Sequence, residues 1–127
     1  MPELTRILYI EDEPDIQAVA QIALESVGGF KVKLCSSGEE ALENAAAFAP
    51  QLLLLDVMMP GMDGQTTLAE LRKIPETSNI PAIFMTAKVQ PQEIEQLLTY
   101  GAIDVIAKPF DPMTLASTIR EIWSNNT

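Results

Sequence analysis

The chain has 127 residues, 47% hydrophobic and 20% charged, a size and balance that fit one globular domain able to bury roughly two-thirds of its unfolded surface. The 18 acidic and 8 basic residues give a net charge of −10, which argues against this domain holding nucleic acid or an anionic membrane by itself. Histidine is absent and Cys35 is the single cysteine, which excludes serine–histidine triads, histidine metal centres, phosphohistidine carriers, cysteine-based zinc sites and intrachain disulfides.

Arg6–Ile10 is an apolar run of strand length and ends at Glu11-Asp12. Ile16, Val19, Ala20, Ala23, Leu24 and Val27 then recur at the interval of one helix face, with Pro14 suiting the first turn and Gly28-Gly29 the end. Lys31–Cys35 predicts a second strand, in which Cys35 reads as a plain half-buried thiol. Ser37 with Glu40 forms a capping box that opens a helix through about Phe48. Gln51–Val57 contains the near-continuously apolar Leu52–Leu55, as expected of a central strand covered on both faces, and carries Asp56. Asp63-Gly64 opens a third helix that stops before Pro75. Ala82–Thr86 is the fourth strand, and Pro91 starts a helix with Ile94, Leu97 and Leu98 inside and Gly101 as its stop. Val105–Ala107 is the fifth strand, followed directly by Lys108. Asp111 then caps a last helix with Pro112 at its first position, placing Leu115, Ile119, Ile122 and Trp123 against the sheet.

This alternation predicts an α/β fold, a doubly wound (βα)5 unit with a five-stranded parallel sheet and helices on both faces. One domain is expected over residues 1–127, with a core from about 4 to 123 and a polar tail, 124–127, that is either natural or the start of a linker. No repeat, low-complexity tract, leader or membrane-length apolar run is present in the sequence, so a cytoplasmic protein without membrane insertion is expected.

In the flavodoxin-like strand order 2-1-3-4-5, Glu11, Asp12, Asp56, Thr86 and Lys108 all gather at the carboxyl edge, where such sheets bind ligands. Asp12 and Asp56 would face each other across the crevice where the winding reverses. Two carboxylates, a backbone carbonyl and several waters suit Mg²⁺. A carboxylate, with a reference pKa of about 3.9, needs no general base to attack phosphorus. The obstacle is one anion approaching another, and Mg²⁺ with the Lys108 ammonium offsets it. The Thr86 hydroxyl can donate to a phosphoryl oxygen, and small Ala87 leaves room beside it.

The segment from Leu52 to Gly64, with Asp56 ahead of Met59-Pro60-Gly61-Met62-Asp63-Gly64, closely resembles the receiver domain of two-component response regulators. In that family the phosphorylated aspartate precedes a Met-Pro-x-x-(Asp/Asn)-Gly loop. Glu11-Asp12-Glu13-Pro14, Met85-Thr86-Ala87 and Lys108-Pro109-Phe110 match the other signatures in order and spacing, so the resemblance covers nearly the whole chain.

The resemblance implies a single-domain, chemotaxis-regulator-like phosphoprotein rather than a turnover enzyme. Asp56 would accept a phosphoryl group from a sensor histidine kinase or a histidine phosphotransfer protein. Mg²⁺, with Mn²⁺ able to substitute, would be held by Asp12, Asp56 and the Met58 backbone carbonyl, with Glu11 acting through water. Thr86 resembles the switch hydroxyl and Lys108 the phosphate-binding lysine; the Lys108–Pro109 bond is expected to be cis. Lys88 is either a simple surface lysine or, two residues after Thr86, at a position that resembles one tuning phosphoryl lifetime. A downstream target would be reached in trans through the fourth helix, fifth strand and last helix.

One residue departs from the family pattern. Val105 stands where receivers carry Tyr or Phe, so readout is expected to run through the fourth helix instead. Glu93 and Glu95, with no basic residue on that helix, give no support for a charge-paired dimer there.

Plainer readings also apply. Asp63 is a helix N-cap, Pro60-Gly61 a turn, and Met58, Met59 and Met62 pack around their loop. The alternative function is a phosphorylation-independent pseudo-receiver, an interaction module. An aspartate-nucleophile phosphatase is disfavoured because its second aspartate is Met58 here and no cap domain is present. Flavin or dinucleotide binding lacks a Gly-rich loop after the first strand.

Overall fold

The computed structural model describes residues 3–126, so Thr127 of the expected tail lies outside the described residues. Strands β1 (Arg6–Ile10), β2 (Lys31–Cys35), β3 (Leu52–Asp56), β4 (Ala82–Thr86) and β5 (Asp104–Ala107) pair in parallel in the order β2-β1-β3-β4-β5. Helices α1 (Pro14–Gln21), α2 (Gly38–Phe48), α3 (Gly64–Leu71), α4 (Pro91–Leu98) and α5 (Leu115–Asn125) connect or follow them. The predicted fold class and strand order are both observed.

The strand pattern follows from burial on two faces. Ile7 and Tyr9 share one face with Leu52, Leu54, Ile83 and Met85, beneath Leu115 and Ile119 of α5. Leu8, Ile10, Leu53, Leu55 and Phe84 point the other way, onto Ala41, Ala45, Leu68 and Leu97. No residue of β3 keeps a solvent face, which is why its sequence runs apolar instead of alternating. A buried Leu contributes about 1.5–3 kcal/mol over an exposed one, so register is strongly fixed. Every strand therefore delivers its carboxyl end to the same edge.

Several local expectations shift. The first helical face is not continuous. After Gln21 the chain widens into a π-helical turn, Ile22–Val27, closed by the Gly28 N–H donating to the Ala23 carbonyl at 3.1 Å. Ala20, Ala23 and Leu24 are buried as expected, but Val19 and Val27 are exposed. Gly28 is required by proximity, because a Cβ there would lie 2.7 Å from Ala116 Cβ on α5. Arg120 of α5 stacks over Phe30 at 4.3 Å and donates to the Gly28 carbonyl, holding that corner shut.

At α2, Ser37 caps the Glu40 N–H at 3.1 Å, but the Glu40 carboxylate returns to the Ser36 N–H, one residue earlier than a capping box requires. Asp111 does not cap α5. Its side chain accepts from Met113 N at 2.9 Å and its carbonyl from Leu115 N at 3.0 Å, so Pro112 sits in a turn and the helix proper begins at Leu115.

Candidate functional site

The strand order places the predicted residues together, because β1 lies directly beside β3. Glu11 and Asp12 follow β1, and Asp56 closes β3; one carboxylate oxygen from each lies within 4.8 Å of the others. Lys108, just past β5, donates from Nζ to Glu11 Oε1 and to Asp56 Oδ1, at 3.0 Å each. Glu11 is fully buried and Asp56 is 2% exposed, so the ammonium bridges two carboxylates largely removed from water.

Glu11 is held from several sides. Its N–H donates to the Cys35 carbonyl at 3.0 Å, and its Oε2 accepts from the Glu13 N–H at 3.2 Å. Gln17 donates to its carbonyl. Asp12 is different: its Oδ1 is buried and has no hydrogen-bond partner. A buried carboxylate oxygen without a donor is costly unless something positive sits against it. Three crowded carboxylates, two of them paired with one ammonium and the third carrying an unpartnered oxygen, are a donor set suited to a hard, oxygen-seeking cation such as Mg²⁺.

The loop after β3 positions Asp56 through its backbone. Val57 N donates to Met85 O at 3.0 Å, and Gly64 N to Val57 O at 2.9 Å. Asp63 is the N-cap of α3, accepting from Thr66 N at 2.8 Å. Gly64 has no room for a side chain, since a Cβ would stand 2.3 Å from Asp56 O and 2.9 Å from Val57 Cα. Both neighbours are backbone and cannot rotate away. Gly64→Ala is thus expected to destabilise the fold by about 1–3 kcal/mol and to displace Asp56. Urea unfolding checks the first effect and loss of Mg²⁺ binding the second. Of the three methionines in this loop, Met59 is buried and Met62 packs near Gly38, whereas Met58 is 63% exposed and so does not pack as expected.

Thr86 is buried at the end of β4, and its hydroxyl accepts from the Lys88 N–H at 3.1 Å. It borders a hollow of about 170 Å³ lined with Val57, Met58, Gln65, Lys88 and Tyr100, among others. Gln65 Oε1, buried and unpartnered, is a polar group that sequence reading passes over. Val105 is half-buried on the edge strand and packs toward the Leu8 side of the sheet. The Lys108–Pro109 bond is cis, as expected.

Electrostatics follow from burial and crowding. Burial pushes the Glu11 carboxyl up from 4.5 to about 7; the Asp56 charge adds to this, while Lys108 and the Glu13 N–H oppose it. Burial works against the charged form of Lys108, but the Asp56 and Glu11 carboxylates outweigh it and the ammonium is held above its ordinary range. The Cys35 thiol is pushed up to about 11 by burial, consistent with an unreactive cysteine.

For Glu11 a raised folded-state value means stability present below pH 4.5 and lost as pH rises through about 7. Urea midpoints of the metal-free protein should accordingly carry a component that falls across that interval. Glu11→Gln should remove it, and an unchanged slope would show that the group titrates normally.

Comparison with known proteins agrees with this arrangement. The response regulator receiver domain family matches residues 7–120. The transcriptional regulatory protein CseB of Streptomyces coelicolor is 36% identical over 122 residues, covering 96% of this chain but 50% of its own. The response regulator Rre1 of Synechocystis is 33% identical, over 96% of this chain and 53% of its own. The chain thus spans about half the length of these relatives. Among solved structures, a response regulator from Desulfuromonas acetoxidans superposes with a TM-score of 0.84 at 30% identity, covering 97% of this chain and 99% of that one. The chemotaxis protein CheY4 of Vibrio cholerae gives 0.85 at 25% identity, over 94% and 98%. On its fold, its carboxyl-edge acid cluster and these matches, the chain belongs to the receiver domain family of response regulators.

Proposed function

We propose that residues 1–127 form a single receiver domain in which Asp56 takes a phosphoryl group from a phosphohistidine, borne by a sensor histidine kinase or a histidine phosphotransfer protein. The observation that carries this reading is the Lys108 ammonium bridging Glu11 and Asp56 beside the unpartnered Asp12 oxygen. Asp12, Asp56 and the Met58 carbonyl would hold Mg²⁺, or Mn²⁺ in its place, with Glu11 acting through water. The metal would supply positive charge between the approaching anions.

An Asp56 carboxylate oxygen attacks phosphorus; the O–P bond forms as the donor's P–N bond breaks, and the departing imidazole takes up a proton. Lys108, already on Asp56 Oδ1, neutralises charge on the phosphoryl oxygens. Thr86 exchanges the Lys88 N–H for a phosphoryl oxygen, to which its hydroxyl donates. That exchange frees the Lys88 backbone and shifts the segment leading into α4. Lys88 itself, exposed at the rim of the hollow, would tune how fast water reaches the acyl phosphate.

The state ends by self-hydrolysis, so the domain is a signalling phosphoacceptor and not a turnover enzyme. Readout to a downstream target runs through the α4–β5–α5 face, carried by α4 because Val105 cannot swing between exposed and buried positions as an aromatic does. With its net charge of −10 this domain would not itself contact nucleic acid. Among the described residues no helix is long and apolar enough to cross a membrane, and a cytoplasmic location fits a kinase partner.

Asp12→Asn tests the metal reading. The variant is expected to need at least about tenfold more Mg²⁺ for half-maximal labelling by a phosphodonor. An unchanged Mg²⁺ requirement would move the metal elsewhere. A pseudo-receiver remains the second reading, favoured by Val105 alone.

A further inference from the structure

Tyr9 brings a phenol hydroxyl into the core layer on the α5 side of the sheet. It shares a strand face with Glu11, two residues on, so its ring runs upward through the Ile7–Leu54 layer toward the acid cluster. It is fully buried, and its hydroxyl donates to Glu11 Oε1 at 3.5 Å. That oxygen also accepts from Lys108 at 3.0 Å. A buried phenol needs a partner, and Glu11 is the one it has among the described hydrogen bonds.

From this geometry we infer that Tyr9 is a positioning residue for the metal and phosphoryl site, holding the Glu11 carboxylate in place when Lys108 is drawn to the phosphoryl group. The inference rests on the receiver reading above. Lys108 is shared between Glu11 and Asp56, and a phosphoryl group on Asp56 competes for the same ammonium. Glu11 is fully buried, so a carboxylate that lost its cation there would be free to turn away unless other donors fix it.

The Glu13 N–H fixes Oε2, and the Tyr9 hydroxyl is the remaining donor on Oε1. The length of the phenol contact fits this division of labour, since the ammonium occupies the better position while it is present. Hydrogen bonds of this kind tighten when the competing group moves. Phenylalanine would fill the same volume and supply no donor, so the hydroxyl is the part that matters.

The test is calorimetric Mg²⁺ titration of the wild-type chain and of Tyr9→Phe, each with beryllium fluoride present to stand in for the phosphoryl group and draw Lys108 from Glu11, with metal-free thermal midpoints measured in parallel. Tyr9→Phe is expected to weaken Mg²⁺ binding by about fivefold while moving the metal-free midpoint little. In a Glu11→Gln background the same substitution should change Mg²⁺ affinity by less than about twofold, because the group it positions is already altered.

Equal Mg²⁺ affinity in wild type and Tyr9→Phe would overturn the positioning role and leave the receiver reading standing. No Mg²⁺ binding by the wild type would overturn both. If Tyr9→Phe folds poorly, fluorine NMR of 3-fluorotyrosine-labelled wild type gives the answer, because the chain has 2 tyrosines and Tyr100→Phe assigns them. A Tyr9 resonance that shifts when beryllium fluoride is added at saturating Mg²⁺ supports the role, and one that stays fixed overturns it.

Discussion

Asp56→Asn is expected to abolish phosphoryl uptake completely while leaving the sheet intact. Asparagine is nearly isosteric, and the backbone that positions it, through Val57, Met85 and Gly64, is untouched. What disappears is the anionic nucleophile. The variant should also be more stable than the wild type without Mg²⁺, because Glu11, Asp12 and Asp56 crowd within 4.8 Å of one another and the Lys108 ammonium pairs with Glu11 and Asp56. Relieving one like-charge repulsion while keeping the Lys108–Glu11 pair is expected to raise stability by on the order of 1 kcal/mol. Stabilisation by added Mg²⁺ should shrink in parallel. Urea midpoints with and without Mg²⁺, together with radiolabel taken up from phosphoramidate, check the three expectations. Label at wild-type stoichiometry would place the acceptor elsewhere.

Lys108→Ala should act in the opposite direction. Glu11 and Asp56 would keep their burial and lose their shared cation, which costs roughly 1–3 kcal/mol in the metal-free protein at neutral pH. Protonation of Glu11 limits that loss, so the deficit should be smaller near pH 5, below the Glu11 value of about 7. Function should change in kind as well as degree. Asp12 and Asp56 would still hold a cation whose charge favours phosphoryl transfer, but no ammonium then ties the phosphoryl to the β5 end of the sheet. Labelling should persist while the shift of the Thr86 loop and α4 is lost. Amide exchange of residues 87–98 before and after labelling measures this; a normal exchange change in Lys108→Ala would remove Lys108 from the switching path.

Much of this was readable from the sequence, because the site is a consequence of strand ends. The apolar runs ending at Glu11, Asp56, Thr86 and Lys108 specify buried parallel strands, and parallel winding sends all those ends to one edge. What stayed hidden depended on packing between segments distant in sequence. The π-helical turn at Ile22–Val27 is invisible to a period count, since one widened turn keeps Ala23 and Leu24 inside. Spacing puts Val19 on the core face, yet it lies 43% exposed. Asp111-Pro112 carries every local sign of a helix start, yet the backbone makes one turn before α5 forms. Tyr9 belongs to no motif and lies unmarked within the Arg6–Ile10 run. The signal that could have found it is simple: a phenol two residues before a buried acid shares its strand face.

The central claim is that Asp56 is a working phosphoacceptor, and intact mass after incubation with acetyl phosphate, with and without Mg²⁺, tests it most directly. The account predicts a gain of one phosphoryl group that requires Mg²⁺ and is absent in Asp56→Asn. A folded, Mg²⁺-binding protein that gains no mass from acetyl phosphate or from any histidine-phosphorylated donor would contradict it and establish the domain as a pseudo-receiver.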